Sequence, residues 1–168
     1  MPDDAKRRRW RRWVRDLLLL ALVFLSVQWW QTRNLTGYLA PPLRGLLSDG
    51  RSTDLRDYAG QPVLVYFWAD WCPVCRAGED TIDRLGRTYP VLTVATQSGD
   101  AARINGYLRE RQLGFPVLLD ESGELGGSWG IQGVPTSFVV ARDGRIASAS
   151  VGYTTAIGLR LRLWLAGI

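Results

Sequence analysis

Apolar positions along this chain fall into two regimes. From Leu17 to Trp30 (LLLLALVFLSVQWW) they run on for fourteen residues, broken only by Ser26 and Gln28. At about 1.5 Å per residue a helix of that run spans roughly 21 Å, short of a ~30 Å hydrocarbon core, so length alone fits a membrane span and a secretory-signal core equally. From Leu46 onward the runs are short and alternate between two periods. The stretch LLSDGRS predicts a hairpin turning at Asp49-Gly50, and Pro62 to Trp68 (PVLVYFW) is a continuous β-branched and aromatic run of the kind buried on both faces of a sheet. A helical pattern follows to about Thr88. A second strand (Val91 to Thr96), an amphipathic helix (about Asp100 to Gln112) and a third strand (Phe115 to Leu119) form a βαβ unit, and Val134 to Val140 with Arg145 to Val151 form a second hairpin around Asp143-Gly144.

The tail from Thr154 satisfies both periods. Leu159, Leu161, Leu163 and Leu165 alternate as a strand would, while Ile157, Leu161, Trp164 and Ile168 form a helical stripe; the reading taken is a helix. No internal repeat or low-complexity stretch appears in the folded part. Four segments result: a basic tail (1–15), a membrane anchor (16–33), a linker stiffened by Pro41-Pro42 (34–45) and an α/β domain (46–168).

Charge sharpens the first regime. The net charge of +5 lies wholly in residues 1–15, where seven cations (Lys6, Arg7, Arg8, Arg9, Arg11, Arg12, Arg15) face Asp3 and Asp4; the rest of the chain holds 14 arginines and 14 acids. A nucleic-acid binder spreads its basic residues over a folded face, so this tail argues against one. No small-x-small cleavage site follows the apolar run, and Trp10, Trp13, Trp29 and Trp30 flank it as an interfacial belt does. An uncleaved single-pass anchor is therefore favoured over a cleaved signal or a buried helix. Cations are retained in the cytoplasm, which puts the N-terminus inside and the folded domain on the far side of a bacterial inner membrane, in the periplasm.

The chain has no histidine and two cysteines. Ser-His and Cys-His nucleophile pairs are excluded, as are imidazole-ligated metal sites, and two thiols do not complete an all-cysteine zinc site. What remains is Trp71-Cys72-Pro73-Val74-Cys75, set where a buried strand ends and a helix begins. There the free N–H groups of the helix start favour a thiolate at Cys72, Pro73 fits the first helical turn without losing a hydrogen bond, and Cys75 lies one turn further in. Cys72 is thus the candidate nucleophile and Cys75 the resolving thiol of a redox-active disulfide. Two other readings stand beside it. One is a structural disulfide, weakened by the small entropy gained from so short a loop; the other is a copper-binding carrier or chaperone using the same two thiols.

The string VLVYFWADWCPVC resembles the thioredoxin superfamily, and GVPTSFVV (Gly133 to Val140) resembles its second signature. The resemblance implies a thioredoxin-like fold, a mixed central sheet flanked by helices, with a cis peptide before Pro135. It also implies that Val134, Pro135 and Trp71 meet a substrate's extended chain beside Cys72. The anchor, the Asp49-Gly50 hairpin and the added βαβ unit are similar to the membrane-anchored TlpA/ResA branch. The CPVC motif and ATQSGD (Ala95 to Asp100) look most like the suppressor-of-copper-sensitivity protein D group. Such proteins imply protein disulfide oxidoreductase activity without cofactor or metal. Their partners are periplasmic protein thiols or disulfides and a membrane thiol-disulfide electron donor or acceptor, in copper-stress or cytochrome-maturation redox homeostasis. A peroxide-reducing redoxin is disfavoured, since no Thr stands three residues before Cys72.

Two departures mark the chain. Tyr66 stands where thioredoxins carry a buried aspartate, and Arg76-Ala77-Gly78-Glu79-Asp80 replaces the branch's pattern after the second cysteine. Glu79, one turn beyond Cys75, and Asp70, two residues before Cys72, are the substitute proton acceptors. The ordinary reading of each is a solvated acid near a helix start.

Overall fold

A computed structural model describes residues 10–11, 13–20, 22–23, 26–27 and 35–168. The chain divides into two compact units, 1–33 and 34–168. In the first, the described residues are helical; Arg15 pairs with Asp16 at 2.9 Å and the Ser26 hydroxyl donates to the Leu22 carbonyl at 2.8 Å. Among the described residues, no helix is long and apolar enough to cross a membrane. The expected span therefore has no counterpart there. Asp3, Asp4, Lys6, Arg7, Arg8, Arg9 and Arg12, and the Trp29-Trp30 end of the apolar run, lie outside the described residues.

The second unit is built on a five-stranded sheet in the order β5-β4-β3-β6-β7, beside a two-stranded hairpin of β1 (Arg44–Leu46) and β2 (Ser52–Asp54). The sheet strands are β3 (Val63–Trp68), β4 (Val91–Thr96), β5 (Val117–Asp120), β6 (Thr136–Val140) and β7 (Ile146–Val151). β3 runs parallel to β4 and antiparallel to β6, so the sheet is mixed. Continuous apolar sequence matches burial on both faces. Leu64, Tyr66 and Trp68 join one core cluster, Val63, Val65 and Phe67 the other. Four helices follow in chain order: α1 (Pro73–Gly86), α2 (Ala101–Arg111), α3 (Glu124–Ser128) and α4 (Ala156–Ala166).

Within 34–45, residues 37–40 lie against the start of β7: Gly37 N–H donates to the Ile146 carbonyl at 2.9 Å and Ala40 N–H to Gly144 at 2.9 Å. Leu43 is fully buried.

Three local features differ from the sequence expectation. A 3-10 turn at Leu55–Tyr58 is held by a reciprocal cap between Asp54 and Asp57. The third strand starts two residues late because Phe115 leaves the sheet to stack edge-on against Trp68, ring centroids 5.9 Å apart. Helix α3 forms across Gly126 and Gly127 because the buried Asp120 carboxylate accepts the N–H groups of Leu125 and Gly126, each at 3.0 Å.

The C-terminal helix is present as expected. Leu159 and Leu163 enter the core, whereas Ile157, Leu161, Trp164 and Ile168 all face outward. Its leucines offer more than one candidate face. The sheet accepts the pair one turn apart that fits between Ile82, Leu85 and Val139.

Candidate functional site

β3 ends at Trp68, and the chain turns through Ala69-Asp70-Trp71 into α1. Cys72 is the N-cap of that helix, with extended backbone (φ −90°, ψ 113°) and Pro73 in its first turn. Its sulfur accepts the Cys75 N–H at 3.2 Å, one of the donors that a helix start leaves without an intrahelical partner. The same sulfur lies 3.6 Å from the Val134 carbonyl oxygen, as donor to it, and the Val134-Pro135 peptide is cis. The structure thus brings Cys72, Cys75, Val134 and Pro135 to one end of the sheet, with both cysteines as free thiols.

The thiols differ in surroundings. Both are buried, and at Cys75, on the inner side of α1, burial first, then its hydrogen bond with Cys72, pushes the pKa up to about 12. The residues around Cys72 are apolar and exposed: Trp71 is 54% exposed, and Val74 and Tyr153 stand out as well. The Trp71 indole is not loose, because its N–H donates to the Gln97 carbonyl at 3.1 Å. Trp68 is core, as expected, and its indole N–H reaches the Thr93 hydroxyl at 3.1 Å.

Neither carboxylate is a solvated helix-start acid. Glu79 is buried, its Oε2 accepting the Tyr107 hydroxyl at 2.6 Å and its Oε1 the Arg111 guanidinium at 2.5 Å. The Asp70 side chain is only 8% exposed; Oδ2 pairs with Arg103 at 2.6 Å, and Oδ1 is buried without a hydrogen-bond partner. Tyr66 lies under the same helix, and burial, then the neighbouring Cys75, Cys72 and Glu79, drive its phenol upward, so it stays a neutral hydroxyl. Tyr66, Pro135, Ser137 and Tyr153 border a cavity of about 10 Å³, the size of one water. The residues missed from sequence are Arg103, Tyr107 and Arg111. Their signal is a four-residue spacing that puts all three on one stripe of α2. Among the described residues no group of three or more His, Cys, Asp or Glu side chains is placed to hold a metal ion.

A dithiol at the strand-to-helix turn of a mixed sheet, facing a cis-proline loop, defines the domain as thioredoxin-like. The chain belongs to the AhpC/TSA family, whose sequence profile matches residues 36–149. It is 36% identical over 107 residues to a "Thioredoxin-like protein" of Haemophilus influenzae, covering 63% of this chain and 64% of that protein. It is 27% identical over 115 residues to "Thiol-disulfide oxidoreductase ResA" of Bacillus cereus, covering 64% of each. Among solved structures, a putative "Thiol:disulfide interchange protein DsbE" from Chlorobium tepidum superposes with a TM-score of 0.70 at 25% identity, over 79% of this chain and 98% of that one. The matched region spans 64% of the length of the first relatives, less than two thirds.

Proposed function

We propose that this protein is a membrane-anchored, periplasm-facing thiol-disulfide oxidoreductase, with Cys72 as the attacking sulfur and Cys75 as the resolving one. The observation that carries the reading is the buried Cys72 sulfur held at the helix start by the Cys75 N–H, beside the Val134 carbonyl and next to the exposed Trp71 and Val74. The names of the relatives from Bacillus and Chlorobium agree with it. In the reducing direction, Cys72 thiolate attacks a substrate disulfide, forming a mixed disulfide and expelling one substrate thiolate. Cys75, losing its proton, then attacks the Cys72 sulfur; the Cys72–Cys75 disulfide forms and the second substrate thiolate leaves. Two electrons pass to the substrate, and the reverse sequence oxidises a dithiol. Glu79 and Asp70 are the candidate proton acceptors in this reading, each paired with an arginine, Arg111 and Arg103.

The anchor rests on sequence: the basic residues 1–15 before the apolar run from Leu17 to Trp30. The partners that follow are periplasmic protein thiols or disulfides and a membrane thiol-disulfide donor or acceptor, in copper-stress or cytochrome-maturation redox balance. Trapping tests the roles. Cys75→Ser should accumulate mixed disulfides with partners, visible as bands that a reductant dissolves, and Cys72→Ser should accumulate none. Equal trapping by both variants would overturn the assignment. A redox titration of the dithiol then sets the direction, over a range of about −270 to −120 mV for proteins of this kind.

A further inference from the structure

Helix α4 has an exposed face unlike any other surface of the second unit. Ile157 is 80% exposed, Ile168 83%, and Leu161, Trp164 and Leu165 each more than half. Leu159 and Leu163 already supply what the core takes from this helix. A helix that stays apolar on the side away from its own domain is matched to a second apolar phase, and a contiguous patch of large apolar side chains marks an interaction surface. Arg160 lies on the same outward face, and no acidic residue follows Asp143, which itself has Arg145 at 3.7 Å. The face is therefore apolar and cationic, with a tryptophan among its large residues.

The chain enters the domain on the same edge. β7 is the outer strand of the sheet, α4 packs on β6 and β7, and residues 37–40 lie along the start of β7 through Ile146 N–H to the Tyr38 carbonyl at 2.8 Å. Tyr38 and Leu39 on that segment are 66% and 65% exposed. From these observations we propose that the outward face of α4 lies on a membrane surface containing anionic lipid. Apolar side chains would enter the headgroup boundary, with Trp164 at the depth tryptophan prefers and Arg160 meeting the headgroups. A second copy of this chain fits less well, because a twofold contact through this face would set Arg160 against Arg160 with no Asp or Glu in α4 of either copy to meet it. The inference rests on the anchored reading above, and adds that α4 itself touches lipid.

Photocrosslinking on the full chain tests it. The protein, with p-benzoylphenylalanine in place of Leu161 or, separately, Trp164, is reconstituted into vesicles of phosphatidylethanolamine and phosphatidylglycerol, irradiated, and its adducts weighed. Glu110, exposed on α2, is the control position. Lipid adducts at 161 and 164 but not at 110, reduced about fivefold by Arg160→Gln, are expected. Adducts to a second copy, or no lipid adduct in a chain that resists carbonate extraction, would overturn the inference while leaving the anchor intact. A chain that carbonate removes but that still yields lipid adducts at 161 would sink the anchor and sustain the inference; one that neither stays bound nor yields adducts sinks both.

Discussion

The sulfur of Cys72 lies 3.6 Å from the carbonyl oxygen of Val134, sixty-two residues away in the chain. That contact joins the start of α1 to the loop before β6. Trp71 and Val74 on the helix side and Tyr153 on the sheet side are all exposed. In the proposed function a disulfide reaching Cys72 would meet these side chains and the Val134 backbone together, which makes them the place to look for discrimination among partners.

Trp71→Ala should separate docking from chemistry. The indole is 54% exposed and its one hydrogen bond goes to a loop carbonyl, so stability should change by less than about 1 kcal/mol. Loss of an aromatic anchor beside the reacting sulfur should raise KM for a protein disulfide by about tenfold with kcat little altered, while a small aromatic disulfide reacts as before. Steady-state kinetics on the two substrates measures both, and an equal loss on both would refute a docking role.

The site was legible where its signals are local. PVLVYFW reads as a strand buried on both faces because both of its faces are, and Cys72-Pro73 reads as a helix start because the sulfur and the proline each suit the free N–H groups there. What escaped comes from partners distant in sequence. Glu79 looks like a solvated acid until Tyr107 and Arg111 arrive from α2, and helix α3 went unread because the Asp120 carboxylate that holds its first turn does so only in the folded chain. In α4 the helical period was legible but its buried face was not: Ile157, Leu161, Trp164 and Ile168 form as regular a stripe as any, and packing on the sheet takes Leu159 and Leu163 instead.

Cys75 makes stability depend on alkaline pH. Its pKa rises from 9.0 to about 12 in the folded protein, burial being the larger cause and the hydrogen bond with Cys72 the next. Between those values the native state holds a proton that the unfolded chain has released, so stability falls as pH climbs from about 9 toward 12. Melting curves of the reduced protein across that interval should drop more steeply for the wild type than for Cys75→Ala. At pH 8 Cys75 is held as the buried thiol, so iodoacetamide should leave it unmodified until the protein is unfolded. Parallel melting slopes, or ready labelling of Cys75 at pH 8, would contradict this.

Removing Glu79 should register first as instability. The carboxylate is buried with both oxygens engaged, while its partner Arg111 keeps 41% of its side chain exposed and can turn to water. Glu79→Ala should therefore cost about 2–3 kcal/mol, less than a fully enclosed ion pair, and Glu79→Gln, which can still accept from Tyr107, about 1 kcal/mol. Urea titrations with unchanged slope give these differences. The pH dependence of mixed-disulfide resolution in Glu79→Gln decides its second role: a shifted profile assigns the Cys75 proton to Glu79, and an unshifted one removes Glu79 from that role.

Gly78 offers a gain where a loss is the ordinary expectation beside an active site. It lies inside α1 with ordinary helical backbone, and a Cβ there would sit 3.6 Å from the Tyr66 hydroxyl oxygen and 3.8 Å from the Tyr153 ring, both normal contact distances. Alanine therefore fits without displacing either aromatic, and it removes the conformational freedom that glycine gives the unfolded chain. Gly78→Ala should raise stability by about 0.5–1 kcal/mol. By contrast, Gly126→Ala, whose Cβ would come 2.8 Å from the Ile131 side chain, should lower it. Thermal melts of the two variants in parallel test the pair. A destabilised Gly78→Ala would mean that Tyr66 and Tyr153 cannot share the space between them with a methyl group.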